Sequence, residues 1–180
     1  MFQIDIVEDC KANSRRAQLK LYKQYCDGMF CVAMRFLKNA DDAEDVIQES
    51  FIKAFQKIDQ FKGDVTFGAW LKRIVINKSI DFLKAKQLKK VELDEGYMQV
   101  TSDEDWSVED DISIDEVKQA INGLPEKYKY VVMMFLMEGF DHSEISQVLN
   151  ISQSACRTRL LRGKGLLKEL LKDKRYVSGS

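Results

Sequence analysis

The sequence predicts an all-α protein made of two small helical domains joined by a flexible acidic linker, with a helix-turn-helix in the second domain. The chain has 180 residues with one proline and nine glycines, which is too few for the many turns of an all-β fold. Its apolar residues recur at steps of three and four, the period of an amphipathic helix. Its charge falls into two basic blocks on either side of an acidic segment.

The whole chain has a net charge of only −1, because the positive charge of the two basic blocks is cancelled by the acidic segment between them. Residues 1–91 hold 17 Lys and Arg against 12 Asp and Glu, and residues 117–180 hold 11 against 6, so each block carries +5. Residues 92–116 hold 11 acidic residues and no basic residue. A solvated acidic loop would explain the connector alone, but it would not explain why both flanking blocks are basic.

This charge pattern is typical of two modules with a linker between them. We therefore expect a first domain over residues 1–90, a linker over 91–112 and a second domain over 113–176. The acidic segment has no sustained apolar period, so the linker is expected to be flexible in the free protein.

The first domain is predicted to contain helices only. A helix of about five turns is expected to begin near Asp41, because Asp41 and Glu44 have the spacing of a helix-start cap and one apolar stripe follows them. An earlier helix is predicted over about residues 14–37. Its inward face is expected to comprise Leu19, Tyr22, Met29, Ala33 and Phe36. For residues 2–10 the sequence leaves two alternatives open, a short first helix and a loose arm.

A loop followed by a basic helix completes the first domain. Two glycines and two aromatic residues fall within residues 61–68, which predicts a loop, and a helix is expected from about Ala69 to Lys86. Aromatic rings beside a basic helix are typical of single-strand binding, where bases stack on the rings and cations follow the phosphates. The alternative is that Phe67 and Trp70 are core residues, which the sequence favours for Trp70.

The second domain is predicted to contain four helices, the last two forming a helix-turn-helix. A capping pattern from Asp141 to Glu144 opens a short helix, and a long helix is expected from about Gln153 to Lys172. On a helical wheel, the leucines of the long helix and Cys156 share one side. The opposite side can bond base edges and phosphates, and it carries Ser154, Thr158, Leu161 and Arg162, flanked by Arg157, Lys164 and Lys168. The alternative is a basic surface on an ordinary helical cluster.

Enzyme chemistry finds little support in the sequence. Its cysteines form no C-x-x-C pair, His142 is the only histidine, and no glycine-rich phosphate loop is present. A Cys–His pair stays open, although no spacing points to one. We expect no catalytic residue, no metal and no cofactor. The longest apolar run is eight residues, from Tyr130 to Met137, and the N-terminus is acidic, so a cytoplasmic protein without membrane insertion is expected.

Several motifs resemble those of bacterial RNA polymerase sigma factors. Two parts of the sequence resemble the first conserved domain of that family: the segment from Asp41 to Phe51 and the pattern Trp70-Leu71-x-x-Ile74-x-x-Asn77. Five shorter motifs resemble the second domain: Leu124-Pro125, Glu138-Gly139, Glu144-Ile145, Ile151-Ser152 and Arg157-Thr158-Arg159-Leu160. Because the chain has these two domains and little else, it resembles the small extracytoplasmic-function group over about residues 10–172.

The resemblance implies roles for individual residues. The residues expected to dock on the clamp helices of the polymerase β′ subunit are Asp45, Gln48 and Glu49. The loop and the third helix are expected to capture and open the minus-ten promoter element, through Lys62, Asp64, Phe67, Trp70, Arg73, Asn77 and Lys78. The minus-thirty-five element is expected to be read by the face that the helical wheel selects independently, which comprises Ser154, Arg157, Thr158, Leu161 and Arg162.

The resemblance also implies partners and a function. The partners are the polymerase core, through the β′ clamp helices and the β subunit, promoter DNA, and an anti-sigma factor. The acidic linker is expected to thread toward the active-site channel, where it would mimic nucleic acid against a basic wall. The implied function is to direct polymerase to promoters in response to an extracytoplasmic signal. Two alternatives stay open: a helix-turn-helix repressor or activator that acts without docking on polymerase core, and a helical adaptor that binds no DNA.

Three features depart from the family pattern. Ala155-Cys156 stands where a threonine–valine pair is more usual. Gly163 and Gly165 lie inside the last helix, where each costs about 1 kcal/mol relative to alanine. We therefore expect that helix to fray beyond Arg162 in the free protein. His142 is expected to be a surface or capping residue.

Overall fold

The structure is a computed structural model, and it describes residues 2–87 and 112–178. These residues form eight α-helices and a 3-10 turn and contain no strand. The chain divides into two compact units, Met1–Leu93 and Asp94–Ser180. The prediction of an all-α protein with two helical domains is therefore confirmed. The predicted acidic linker over 91–112 lies outside the described residues, apart from its last residue.

The first unit is built from four helices and a single 3-10 turn within residues 2–87. These elements are α1 (Phe2–Lys11), α2 (Arg15–Leu37), α3 (Ala40–Gln56), the turn Ile58–Gln60 and α4 (Phe67–Gln87). Helices α2, α3 and α4 pack on one another, and α1 packs against α2 and the 3-10 turn. The first of the two alternatives for residues 2–10, a short helix, is the one observed.

The inward face of α2 is only partly as predicted. Met29, Ala33 and Phe36 are buried, but Leu19 is 54% exposed and Tyr22 36% exposed, so the prediction was wrong for these two residues. The buried face also contains Leu21, which is fully buried. Leu19 precedes Leu21 by two residues and so lies on roughly the opposite side of the helix.

The N-cap of helix α3 lies two residues before the predicted one. Its N-cap is Asn39, whose side-chain oxygen accepts a hydrogen bond from the backbone N–H of Asp42 at 2.9 Å, so the predicted cap at Asp41 was wrong. Asp41 and Asp42 lie in the first turn, where negative charge favours the helix. Most of the apolar stripe that follows is buried. Ser50 is buried beside it and donates a hydrogen bond to the carbonyl oxygen of Val46 at 2.6 Å.

The second unit contains the four predicted helices within residues 112–178. They are α5 (Ile114–Gly123), α6 (Glu126–Leu136), α7 (His142–Leu149) and α8 (Gln153–Ser178). Asp141 and Glu144 form a reciprocal capping box at the start of α7, as their spacing predicts. The C-cap of α7 is Asn150, which adopts a left-handed conformation (φ 54°) and turns the chain toward α8.

Helix α8 is continuous through both of its glycines, so the expected fraying beyond Arg162 is not observed. Gly163 is buried, and a β-carbon at this position would lie 2.5 Å from Val132 Cγ2 and 3.3 Å from Tyr128 Cβ. Both residues belong to α6. The glycine therefore lets α6 and α8 approach more closely than any larger residue would allow.

Candidate nucleic-acid and protein interfaces

One face of α3 carries the three residues predicted to dock on polymerase. Asp45, Gln48 and Glu49 are all exposed, because the opposite face of the helix packs its apolar stripe into the unit. Ile52 lies on the same exposed face, four residues after Gln48 and seven after Asp45, and it is 58% exposed. Ile52 was not among the predicted docking residues, although its helical spacing places it between the polar residues. We call Asp45, Gln48, Glu49 and Ile52 the docking face.

The predicted minus-ten residues divide into two groups on α4. Trp70, Arg73 and Asn77 follow one another at steps of three and four, so they share one side of the helix. Lys78 points instead toward α3, where its ammonium group lies 2.8 Å from Glu49 Oε2. Lys86 further along α4 pairs in the same way with Asp42 at 2.8 Å.

An aromatic cluster joins α4 to the preceding loop. The ring of Phe67 lies 5.7 Å from Trp70, 5.8 Å from Phe61 and 5.5 Å from Tyr25 of α2. Phe67 is only 2% exposed, so its ring is not available for a base to stack on, and this part of the prediction needs correction. Trp70 is half-buried, so its ring is neither a fully buried core residue nor a fully exposed surface for a base to stack on. Tyr25 was missed because only tertiary packing brings it here.

The loop before α4 presents polar groups to solvent. Lys62 and Asp64 are exposed on either side of Gly63, whose φ of 82° lies in the left-handed region that favours glycine. Thr66 ends the loop, and its hydroxyl accepts a hydrogen bond from the backbone N–H of Ala69 at 3.2 Å. Lys62 and Asp64 are therefore accessible to a ligand.

The outer face of α8 has the composition expected of a recognition helix. Ser154, Arg157, Thr158 and Leu161 are exposed and Arg162 is half-buried. The residues buried on the other side are Cys156, Leu160, Leu167 and Leu171. The Thr158 hydroxyl donates to the carbonyl oxygen of Ser154 at 3.0 Å. Lys164 lies outside this face, because its ammonium group sits 5.0 Å from the centre of the Phe135 ring on α6.

Two of the thiols are buried, and the histidine ring stacks on an aromatic side chain. Burial, with a smaller contribution from Asp9, raises the pKa of the Cys10 thiol to about 11, and burial also raises the pKa of Cys156. Both thiols are therefore protonated at neutral pH and poor nucleophiles. His142 stacks on Phe135 at 5.2 Å between ring centres, and the capping role belongs to Asp141.

The described parts of the chain also bear on metal binding and on membrane insertion. Within residues 2–87 and 112–178, His, Cys, Asp and Glu nowhere gather in a group of three that could hold a metal ion. In these same ranges, no helix combines the length and apolar character that crossing a membrane requires.

Two family models match the chain, one in each unit. Sigma-70 region 2 matches residues 21–88, and Sigma-70 region 4 matches residues 114–167. The ECF RNA polymerase sigma factor SigW of Bacillus subtilis is 31% identical over 179 residues, covering 93% of this chain and 95% of the relative. The RNA polymerase sigma-H factor of Pseudomonas aeruginosa is 28% identical over 178 residues, covering 92% of each.

Solved structures share the fold. CnrH in complex with the cytosolic domain of CnrY has a TM-score of 0.55 at 22% identity, over 95% of this chain and 97% of that one. The sigma factor RpoE from Bartonella quintana, in complex with the anti-sigma factor NepR, has a TM-score of 0.54 at 20% identity, over 85% and 95%. The two matched regions and the relatives, which cover more than nine-tenths of the chain, lead to one conclusion. The chain belongs to the extracytoplasmic-function group of bacterial RNA polymerase sigma factors.

Proposed function

We propose that this sigma factor directs RNA polymerase core to specific promoters through one protein-docking face and two DNA-contacting surfaces. The observation that carries the proposal is the presence of sigma-70 regions 2 and 4 on one chain, in that order. Each region exposes polar residues on a helix whose other side is packed into the core. The chain supplies no catalytic group in this scheme, because the bond-forming chemistry belongs to the polymerase.

The docking face of α3 contacts the clamp helices of the β′ subunit. Asp45 and Glu49 provide negative charge, Gln48 provides a neutral hydrogen-bonding group, and Ile52 provides an apolar centre. An apolar residue within a polar surround is the usual anatomy of a protein interface, where the polar groups exclude water from the central contact. The partner surface that fits is therefore a helix pair with basic residues around an apolar position. The polymerase β subunit provides further contacts to the sigma factor.

The loop and α4 bind the minus-ten element as its strands separate. Opening requires the unstacking of bases, at a few kcal/mol per step, which contacts to the exposed bases offset. Lys62, Asp64, Trp70, Arg73 and Asn77 make these contacts, together with Lys78. Phe67 positions the half-buried ring of Trp70 rather than stacking on a base itself.

The outer face of α8 reads the minus-thirty-five element in the major groove. Arg157 and Arg162 can form hydrogen bonds to guanine edges or to phosphates. The hydroxyl groups of Ser154 and Thr158 can bond base edges that carry either a donor or an acceptor. Leu161 offers an apolar contact on the same face. Duplex recognition in the second unit and strand opening in the first are thus separate tasks on separate surfaces.

An anti-sigma factor restrains the protein in the cytoplasm until an extracytoplasmic signal arrives. Two solved structures that share this fold contain a second protein. CnrH is bound to the cytosolic domain of CnrY, and RpoE is bound to the anti-sigma factor NepR. Exposed apolar residues such as Leu19, Ile52 and Ile114 are the kind of surface that such a partner covers. The acidic linker, residues 91–112, enters the basic channel of the polymerase once the holoenzyme forms.

The test is promoter-dependent transcription with bacterial core polymerase and a genomic fragment library. We expect discrete start sites only when the sigma factor is added to core. A repressor or activator acting without core docking would bind duplex DNA tightly by itself and give no new start sites. An adaptor would bind core or another protein without changing which DNA is transcribed.

A further inference from the structure

An apolar strip crosses from α2 to α3 on the outside of the first unit, and it comprises Leu19, Tyr22, Phe55 and Ile52. Phe55 is half-buried and the other three are exposed. Leu19 and Tyr22 are one turn apart on α2, as are Ile52 and Phe55 on α3. The ring of Phe51 joins the two pairs, because it lies 4.8 Å from the Tyr22 ring and 6.0 Å from the Phe55 ring.

The apolar strip lies between charges of opposite sign. Residues 10–26 contain five Lys and Arg and no Asp or Glu, whereas residues 39–52 contain five Asp and Glu and no Lys or Arg. Only two residues join α2 to α3, and the two helices pack on each other, so they run antiparallel. Lys20 and Lys23 are exposed on α2, and Glu44 and Asp45 are exposed on α3. This face therefore has a basic end and an acidic end with apolar surface between them.

We propose that the apolar strip is the centre of an interface between two copies of this chain, related by a two-fold axis. An axis lying in the face places the basic end of each copy against the acidic end of the other, and the two strips pack together. In such a dimer the same surface serves both copies, so it must be complementary to itself. A face with one basic and one acidic end meets this condition.

A second copy fits this face better than a partner whose charge has one sign. A partner of one sign that covered the whole face would be attracted at one end and repelled at the other. A second copy presents both signs in the matching order. Contact between the apolar strips removes Leu19, Tyr22 and Ile52 from water, which supplies the attraction, and the charges fix the orientation. An interface centred on four apolar side chains is small, and small interfaces are weak and reversible.

The dimer would keep the free factor from polymerase. Ile52 and Asp45 belong both to this interface and to the docking face, so one molecule cannot use them for both partners at once. Free factor that accumulates without a partner would then be stored as a dimer and released as polymerase core takes up the single copies. The dimer itself follows from the surface alone, whereas this consequence rests on the proposed function.

The first measurement is sedimentation equilibrium of the full chain alone, over about 1–200 μM. We expect the average mass to rise from that of one copy toward that of two. Raising the salt concentration from about 0.1 to 0.5 M should weaken the association, because salt screens exposed charges. Leu19→Gln should weaken it about tenfold. The control is Ile114→Gln, which changes a side chain that is 74% exposed in the second unit and should preserve it. A mass of one copy at every concentration, or equal losses in both variants, would overturn the inference.

The second measurement exchanges the charges of the two ends. Lys20→Glu with Lys23→Glu makes both ends acidic, and Glu44→Lys with Asp45→Lys makes both ends basic, so each variant alone should associate at least tenfold more weakly than wild type. In a mixture of the two variants, every contact again joins opposite signs. Association should then return to within about threefold of the wild-type value. A mixture that associates no better than either variant would show that these ends do not meet.

The third measurement adds core polymerase to the dimer. We expect holoenzyme with one copy per core and loss of the dimer, because both assemblies need Asp45 and Ile52. A core that binds the intact dimer would overturn the inference that the two partners exclude each other. If the chain dimerises as described but neither binds core nor starts transcription, it is the proposed function that fails. If it starts transcription but never dimerises, only this inference fails.

Discussion

Lys78 on α4 and Glu49 on α3 are joined by an ion pair of 2.8 Å across 29 residues of sequence. The pair links a residue proposed to contact DNA with a residue proposed to contact polymerase. Its side chains are 27% and 64% exposed respectively, so solvent screens much of the attraction. The two proposed contact surfaces therefore meet at this pair.

The first prediction separates the structural from the functional role of this ion pair. Because exposed pairs contribute about 0–1 kcal/mol, a double-mutant cycle of Glu49→Gln and Lys78→Gln should give a coupling below about 1 kcal/mol in urea unfolding. The same variants should affect different steps, with Glu49→Gln lowering core affinity and Lys78→Gln slowing strand opening. A coupling above about 2 kcal/mol would instead make the pair a structural element.

The second prediction concerns the docking face. Asp45→Lys should weaken core binding about a hundredfold, and Ile52→Ala about tenfold, as is usual for central interface residues. Neither change should alter the circular dichroism spectrum, because both side chains are exposed. Asp59→Lys, an equal charge change in the 3-10 turn, serves as the control. Equal effects of Asp45→Lys and Asp59→Lys would point to net charge rather than to this face.

The third prediction divides the DNA contacts between the units. Arg157→Ala with Arg162→Ala should lower transcription from the factor's own promoters about tenfold or more, because each base contact contributes about 1–3 kcal/mol. Asn77→Ala with Lys78→Ala should instead impair opening. A promoter with a pre-melted minus-ten region should rescue the second variant only, and both should still bind core. Rescue of both variants to the same degree would show that the tasks are divided differently.

The fourth prediction assigns a base contact to Leu161. This side chain is 37% exposed and lies near the middle of the outer face of α8, so it is suited to the methyl group of a thymine. Replacing minus-thirty-five thymines by uracil, one at a time, should lower wild-type affinity about threefold at one position. Leu161→Ala should show no such difference. A wild type that ignores every uracil substitution would exclude the contact.

The fifth prediction compares two helical glycines with opposite surroundings. Gly163→Ala should destabilise the protein by about 1–3 kcal/mol, because the new methyl would overlap Val132 in a packed core. Gly28→Ala should stabilise it by about 0.5–1 kcal/mol, since apart from the local helix backbone no atom lies within 4 Å of the added carbon and alanine favours the helix. Urea unfolding of the two variants gives the signs, and the same sign for both would contradict the packing argument.

The features set by local period were predictable from sequence. The buried stripe of α3, the capping box at Asp141 and the two faces of α8 all follow from residues within a few turns of one another. Leu19 was misplaced because α2 carries apolar residues on more than one side, and only the neighbouring helices decide which side is buried.

Features that depend on distant residues were not predictable. Phe67 is buried by Tyr25, which lies about forty residues earlier, and Lys78 is turned toward α3 by Glu49. On helix propensity alone, Gly163 was expected to destabilise α8. Its close packing against α6 makes glycine the favourable residue there, because tertiary packing overrides a propensity difference of about 1 kcal/mol.

The absence of a side chain at Gly163 also bears on how promoter preference can evolve. The residue lies on the side of α8 opposite Ser154 and Leu161, and its close approach to Val132 constrains the rotation of the helix about its own axis. In the proposed function, this rotation decides which side chains meet the bases. Substitutions on the outer face would then change the DNA sequence that is read while the angle of presentation stays constant, so a lineage could acquire new promoters without rebuilding the domain that reads them.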